Sequence, residues 1–196
     1  MHTIPPMRFT TPSVLLISVS FLGNTALAAT LPGDDATVTR AQLTQAMVLS
    51  IFSTESIDGC LGDLSRSRYR LLFTDVKVDD SFAPALCMGM KGGLIRGYKD
   101  GSFRPNRPIN FAEAAKIISR AMALKPVAGL PEGSPWYMNY VKALESRHAI
   151  PVSIKSFDQP MTATDLDEIM RRLRNDITSL PSRTYDELRK RMEAGR

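Results

Sequence analysis

One pattern occurs three times along the 196 residues. A polar residue suited to cap a helix is followed, three positions on, by an amide or acid, and then by apolar residues at helical spacing. The copies open as Thr39-Arg40-Ala41-Gln42, Asn110-Phe111-Ala112-Glu113 and Thr162-Ala163-Thr164-Asp165. In each, the first side chain accepts from an orphan backbone N–H of the first turn, and the residue at N3 reaches back to the cap. Asp165 has the shortest reach of the three. The stripes behind the caps are Leu43, Ala46, Met47 and Ile51; Ala114, Ile117, Ile118 and Ala121; and Leu166, Ile169, Met170 and Leu173. Each supplies one buried helix face. The caps stand 71 and 52 residues apart, and repeats near 50 residues belong to stacked or pseudo-symmetric arrays. A single unit cannot bury its own apolar face, so the copies are expected to pack together in one mainly α domain of helix-loop-helix repeats.

A second feature precedes the later two helices. Phe73-Thr74-Asp75-Val76 leads into an aromatic-led helical stretch, Phe82 to Met90, and then into Gly97-Tyr98-Lys99-Asp100-Gly101-Ser102-Phe103-Arg104-Pro105-Asn106. Asp100-Gly101 marks a tight turn in which glycine takes positive φ. Pro105 and Pro108 keep the next helix from starting early. The third copy has Trp136-Tyr137-Met138-Asn139-Tyr140 and then His148-Ala149-Ile150-Pro151, without the Asp-Gly turn.

Residues 73–124, with this string and Pro108-Ile109, resemble the S-layer homology (SLH) domain family. A half-repeat at about 38–52 carries Thr39-Arg40-Ala41-Gln42, which is similar to that family's Thr-Arg-Ala-Glu signature, and 136–174 reads as a divergent third copy. The resemblance implies three repeats in a pseudo-three-fold arrangement over 29–175. It also implies non-covalent attachment to an acidic cell-envelope polysaccharide, or assembly with S-layer and envelope proteins. In the family the signature arginine reaches an acidic group on the glycan. Only the first copy keeps it, as Arg40; Phe111 and Ala163 stand at the matching positions and cannot pair with a carboxylate as a guanidinium does. Arg40 thus has two readings, a ligand contact or a solvated side chain at N1. Trp136 also has two, a sugar platform or, as the favoured reading of a helix-leading aromatic, a core residue. Lys99 and Arg104 are exposed candidates for polyanion contact. Gly97, Tyr98, Asp100, Gly101, Phe103 and Pro105 shape the loop, with Tyr98 and Phe103 as its packed floor, and Glu113 is first a helix cap. One Asp-Gly turn is far from a calcium loop, so no metal and no cofactor are expected.

The first 28 residues read as a secretory signal: Arg8, an apolar run from Val14 to Leu22, and Ala26-Leu27-Ala28 before the cleavage point. No later stretch is long and apolar enough to span a bilayer. The mature chain is therefore expected to be secreted, at the cell envelope or surface, in oxidising surroundings. There Cys60 and Cys87 are expected to form one disulfide, worth about 3.5 kcal/mol by loop closure. The 25 basic and 20 acidic residues give a net charge of +5. The repeats, 29–170, hold 16 of each sign, and the excess sits in 171–196, with eight basic and four acidic residues. A basic nucleic-acid-binding domain is thus not indicated. The one histidine after position 2, His148, falls at an expected helix end, and a favourable contact with the helix dipole is its simplest role. No enzyme is expected. Residues 176–196 read as a linker and a short helix opened by Thr184-Tyr185-Asp186-Glu187, loosely docked or frayed because its apolar face is only Tyr185, Leu188 and Met192.

Overall fold

The computed structural model describes residues 36–62 and 73–195; the expected signal peptide, 1–28, lies outside them, as do 29–35. Among the described residues there are seven helices: α1 (Arg40–Ile51), α2 (Thr54–Gly62), α3 (Ala83–Lys91), α4 (Phe111–Ala121), α5 (Met138–Glu145), α6 (Ala163–Arg174) and α7 (Tyr185–Ala194). Extended pairing among them is limited to the isolated bridges Thr37–Thr162, Thr39–Pro108 and Asn110–Pro160. The protein is mainly α-helical.

The capping chemistry forms as the sequence implies. Thr39, Asn110, Thr162 and Thr184 each accept from the N3 amide, and Gln42, Glu113, Asp165 and Glu187 reach back to the cap N–H. The return bond is longest at Asp165, 3.5 Å against 2.9 Å at Gln42, as the shorter side chain requires.

The residues just ahead of three caps close a ring. The Val38 amide donates to the Met161 carbonyl (2.8 Å), Met161 to Ile109 (2.9 Å), and Ile109 back to Val38 (2.9 Å). All three residues are fully buried. The next amides, orphaned by the helix geometry, find carbonyls on the incoming loops: Arg40 donates to Arg107, Phe111 to Gln159, and Ala163 to Ala36. So each of the three longer helices takes part of its N-terminal capping from another segment of the chain. Around this ring lies one apolar cluster, with Leu43, Met47, Phe103, Phe111, Ile118, Leu144, Ile150 and Leu166 all fully buried.

Two further elements complete the fold. Helix α2, which the repeat pattern does not mark, packs on α3 and is joined to it by the expected Cys60–Cys87 disulfide (Cα–Cα 6.0 Å). Helix α7 corrects the expectation of a loose or frayed end. Tyr185 and Leu188 are 4% and 0% exposed, and the Tyr185 amide donates to Glu145 Oε2 on α5 (3.1 Å). Arg172, itself 5% exposed, holds the approach to α7 by donating to the carbonyls of His148 (3.2 Å) and Pro181 (3.0 Å). A small apolar face suffices because these long-range polar contacts fix the segment that leads into it.

Candidate functional site

The glycine-rich loop is rigid for local reasons. Asp75 accepts from the amides of Phe103 and Arg104, both at 2.7 Å, and the Thr74 amide donates to Gly101 O. Gly101 has φ +79°. A Cβ on Gly97 would stand 2.8 Å from the Phe73 ring and 3.0 Å from the Ser102 carbonyl, so no larger residue fits. Asp100 accepts from the Ser102 amide and hydroxyl and pairs with Arg104 (3.0 Å). These bonds, the Ser102 hydroxyl first, hold its carboxyl down to about 2.

Beside this loop runs a cleft of about 200 Å³. One wall is the segment from Leu94 to Tyr98; the other is α4, through Glu113, Lys116 and Ile117, with Arg40 of α1 and Trp136 completing the lining. Arg40 is 7% exposed, so it is not a solvated N1 side chain. Its Nε donates to the Phe103 carbonyl (3.0 Å), and its guanidinium lies 4.9 Å from the Tyr98 ring centroid and 4.7 Å from that of Phe103. Among the described residues no other hydrogen bond engages its side chain. Burial lowers its pKa, opposed by Tyr98 and Glu113.

Tyr98 gathers three cations, with Arg104 at 4.1 Å, Arg40 at 4.9 Å and Arg107 at 5.9 Å from its ring centroid. Its hydroxyl donates to Glu113 (3.3 Å) and accepts from Arg107 (2.7 Å). Arg107 also pairs with Glu113 through both carboxylate oxygens, so the cap acid is already neutralised. That leaves Arg40, Arg96 and Lys116 along the cleft with no ion-pair partner among the described residues. Lys116 records the excess: burial lowers its pKa first, and repulsion from Arg120, Arg96 and Arg40 lowers it further.

Trp136 is 57% exposed, which overturns its favoured reading as core. Its neighbour Tyr137 takes the inner seat against Phe157 (4.8 Å), and Trp136 meets Tyr137 edge-on (5.6 Å). Lys116 Nζ lies 5.5 Å from the indole centroid. Of the four candidate contacts from the sequence, then, Arg40 and Trp136 meet in the cleft. Lys99 and Arg104 stay outside it, and Arg104 is tied to Asp100. Arg96, Lys116 and Arg107 were missed. The signal for Lys116 was its place three residues after Glu113, on the same face of a capped helix.

At the positions that match Arg40, Phe111 is fully buried and Ala163 is 7% exposed. Neither supplies a cation. Among the described residues no group of three or more His, Cys, Asp or Glu side chains is placed to hold a metal, and no helix is long and apolar enough to cross a membrane.

The loop, α3 and the first turns of α4 form one continuous unit, and a family model fits it. Residues 72–115 match the S-layer homology domain. This SLH match contains the Leu94–Tyr98 wall and Glu113, while Arg40 and Trp136 reach the cleft from beyond its two ends. Over 94 residues the chain is 28% identical to the "Surface layer protein" of Brevibacillus choshinensis and 29% identical to the "Middle cell wall protein" of Brevibacillus brevis. Each alignment covers 48% of this chain and 8% of the relative, so the likeness is to a small part of much longer proteins.

Proposed function

We propose that this chain is an exported, non-catalytic SLH-type module that attaches to the cell envelope by holding an anionic polysaccharide in the Arg40 cleft. The observation that carries the reading is the pairing of surplus positive charge with an exposed indole. Arg40, Arg96 and Lys116 line a cleft whose one acid is already paired, and Trp136 stands at its edge. Fixed cations favour a polymer that bears carboxylate or phosphate groups, and a guanidinium binds such groups in a fork. A flat aromatic face beside them suits the apolar face of a sugar ring. The SLH match at 72–115 and the envelope proteins it resembles support the location. The ring through Val38, Ile109 and Met161 supports a pseudo-three-fold packing of the repeats.

Sedimentation with purified cell-wall sacculi tests this reading. The wild-type chain is expected to co-sediment, less so as salt is raised. Lys116→Ala and Trp136→Ala, at partly exposed side chains, are expected to bind about tenfold more weakly with unchanged melting. A wild-type chain that stays in the supernatant with every envelope fraction refutes the proposal.

A second reading, a surface protein-interaction module that keeps the fold without glycan binding, is favoured by Phe111 and Ala163 at the signature positions. Sedimentation that persists after acid stripping of the wall polysaccharide would select it.

A further inference from the structure

The chemistry of the Arg40 cleft continues past Trp136. Lys116 and Arg120 stand one helical turn apart on α4, about 6 Å along its axis. Opposite them stand Trp136, just ahead of α5, and Tyr140, in its first turn. Cations and rings alternate across this seam. Lys116 Nζ lies 5.5 Å from the Trp136 centroid and 6.0 Å from that of Tyr140, and the Arg120 guanidinium lies 5.7 Å from the Tyr140 centroid. A second cavity, of about 380 Å³, opens at the Arg120 end, lined by Ser119, Arg120, Leu124, Lys125, Asn139 and Tyr140 among others. Lys116 and Trp136 thus belong to one cavity and Arg120 and Tyr140 to the other, so the two lie end to end along the α4–α5 seam.

Hydrogen bonds fix the second cavity. Arg120 donates to the Gly93 carbonyl (2.9 Å) and to the Tyr140 hydroxyl (3.3 Å). The Ser119 hydroxyl donates to the Tyr140 carbonyl (3.2 Å), and the Val127 amide to Asn139 Oδ1 (2.8 Å). Among the described residues no carboxylate lines it, so Arg120 and Lys125 extend the positive charge of the first cleft.

The fold does not require this chemistry. The α1–α3 seam matches the α4–α5 seam step by step. Counted from the helix caps, Gln45 and Leu49 stand where Lys116 and Arg120 do, and Ser81 and Ala85 where Trp136 and Tyr140 do. That seam has an open cleft of its own, of about 390 Å³, in which Gln42, Gln45, Ser81 and Phe82 take part, and its lining is uncharged. A capped helix therefore packs on a short one equally well without the cations and exposed rings of the α4–α5 seam.

We infer that the second cavity is a further subsite for the polymer held in the Arg40 cleft, so that an anionic polysaccharide lies along the α4–α5 seam from Arg40 to Lys125. The identity of the ligand rests on the glycan reading above; the seam adds the length of polymer engaged. The Tyr140 ring and the apolar lining suit the apolar face of a sugar, and Arg120 and Lys125 suit its acidic groups. Two subsites on one chain act together, since a polymer held in the first is presented to the second at high effective concentration. The site therefore reads a stretch of several sugars rather than a single one.

The test uses the intact, oxidised chain, purified sacculi, and wall polysaccharide released from them by mild acid and cut to graded lengths. Calorimetric titration of the wild type is expected to show affinity that keeps rising beyond the shortest fragment that binds. Lys125→Glu, at an exposed side chain, is expected to match the wild type in melting and on the shortest fragments. On longer fragments and on sacculi it is expected to bind about fivefold more weakly, the scale of an exposed ion pair. Lys116→Ala is expected to weaken binding at every length. Lys190→Glu makes the same charge change on α7 at a residue that lines neither cavity, and is expected to bind like the wild type. Wild-type affinity that stops rising at the shortest fragment, Lys125→Glu equal to wild type at every length, or an equal loss in Lys190→Glu overturns the second subsite. Those results leave the glycan reading standing where Lys116→Ala still weakens binding. A wild-type chain that binds neither sacculi nor any fragment overturns both.

Discussion

Replacing Arg40 by methionine separates its two roles. Methionine keeps the length and apolar bulk of the stem and removes the guanidinium. The Nε–Phe103 bond is lost, and the Phe103 carbonyl is left without that donor beside a fully buried residue. A hydrogen bond from a charged donor is worth about 1.5–3 kcal/mol. The contacts with the Tyr98 and Phe103 rings, at 4.9 and 4.7 Å, add about 0.5–1 kcal/mol each. Against this stands the cost of burying the charge, visible in the lowered pKa of Arg40. Relief of that cost offsets part of the loss, and the net destabilisation is about 2 kcal/mol. For a domain of this size that lowers the melting temperature by about 4–8 °C. Calorimetry of the oxidised chain without ligand reads it directly. Arg40→Lys, which keeps the charge but not the fixed Nε–H, is expected to fall between methionine and wild type in melting and well below wild type on sacculi. A methionine variant that melts at or above the wild type would refute the reasoning. The guanidinium would then be held against its own desolvation solely for a ligand.

Two further outcomes follow from the same region and its clip. The double variant Cys60→Ser/Cys87→Ser is expected to lose about 3.5 kcal/mol in urea unfolding by the loop-closure model, with α2 the first helix to lose exchange protection. Asp100 is held at about 2, so its folded pKa lies below the unfolded value. Its contribution to the turn is complete above the ordinary aspartate range and is lost as pH falls through about 2. An NMR titration is expected to show this, and Ser102→Ala to move the midpoint upward.

The legible part of this molecule was its local chemistry. Caps, N3 partners, the Asp-Gly turn and the disulfide each depend on a few residues whose identity dictates the bond. Less legible was every feature set by a partner far along the chain. Trp136 and Tyr137 are adjacent aromatics at a helix start, and either can take the inner seat. Packing against Phe157 and Tyr185 selects Tyr137, which no local pattern encodes. Arg40 reads as solvated at N1 until the Phe103 loop, 63 residues away, closes over it. The basic tail reads as loose because the bonds that hold it run from Arg183 to Ile150 and from Tyr185 to Glu145. The SLH resemblance singled out the Gly97–Pro105 loop, yet it did not reveal that Lys99 and Arg104 lie outside the cleft while Lys116 lies within it.

The ring of amides through Val38, Ile109 and Met161 also dictates the order of events in folding. An open stack of repeats can fold and fray one unit at a time, since each touches only its neighbours. Here the first and third units are bonded to each other, so the last junction joins residues 38 and 161. Loop closure on that scale slows folding, and a growing chain cannot complete its core until residues near 163 have emerged. Cutting out any one unit opens two junctions at once, and the remaining pair has no closed form to settle into. The ringed core is therefore expected to unfold in a single cooperative step, with coincident transitions by circular dichroism and calorimetry as the check.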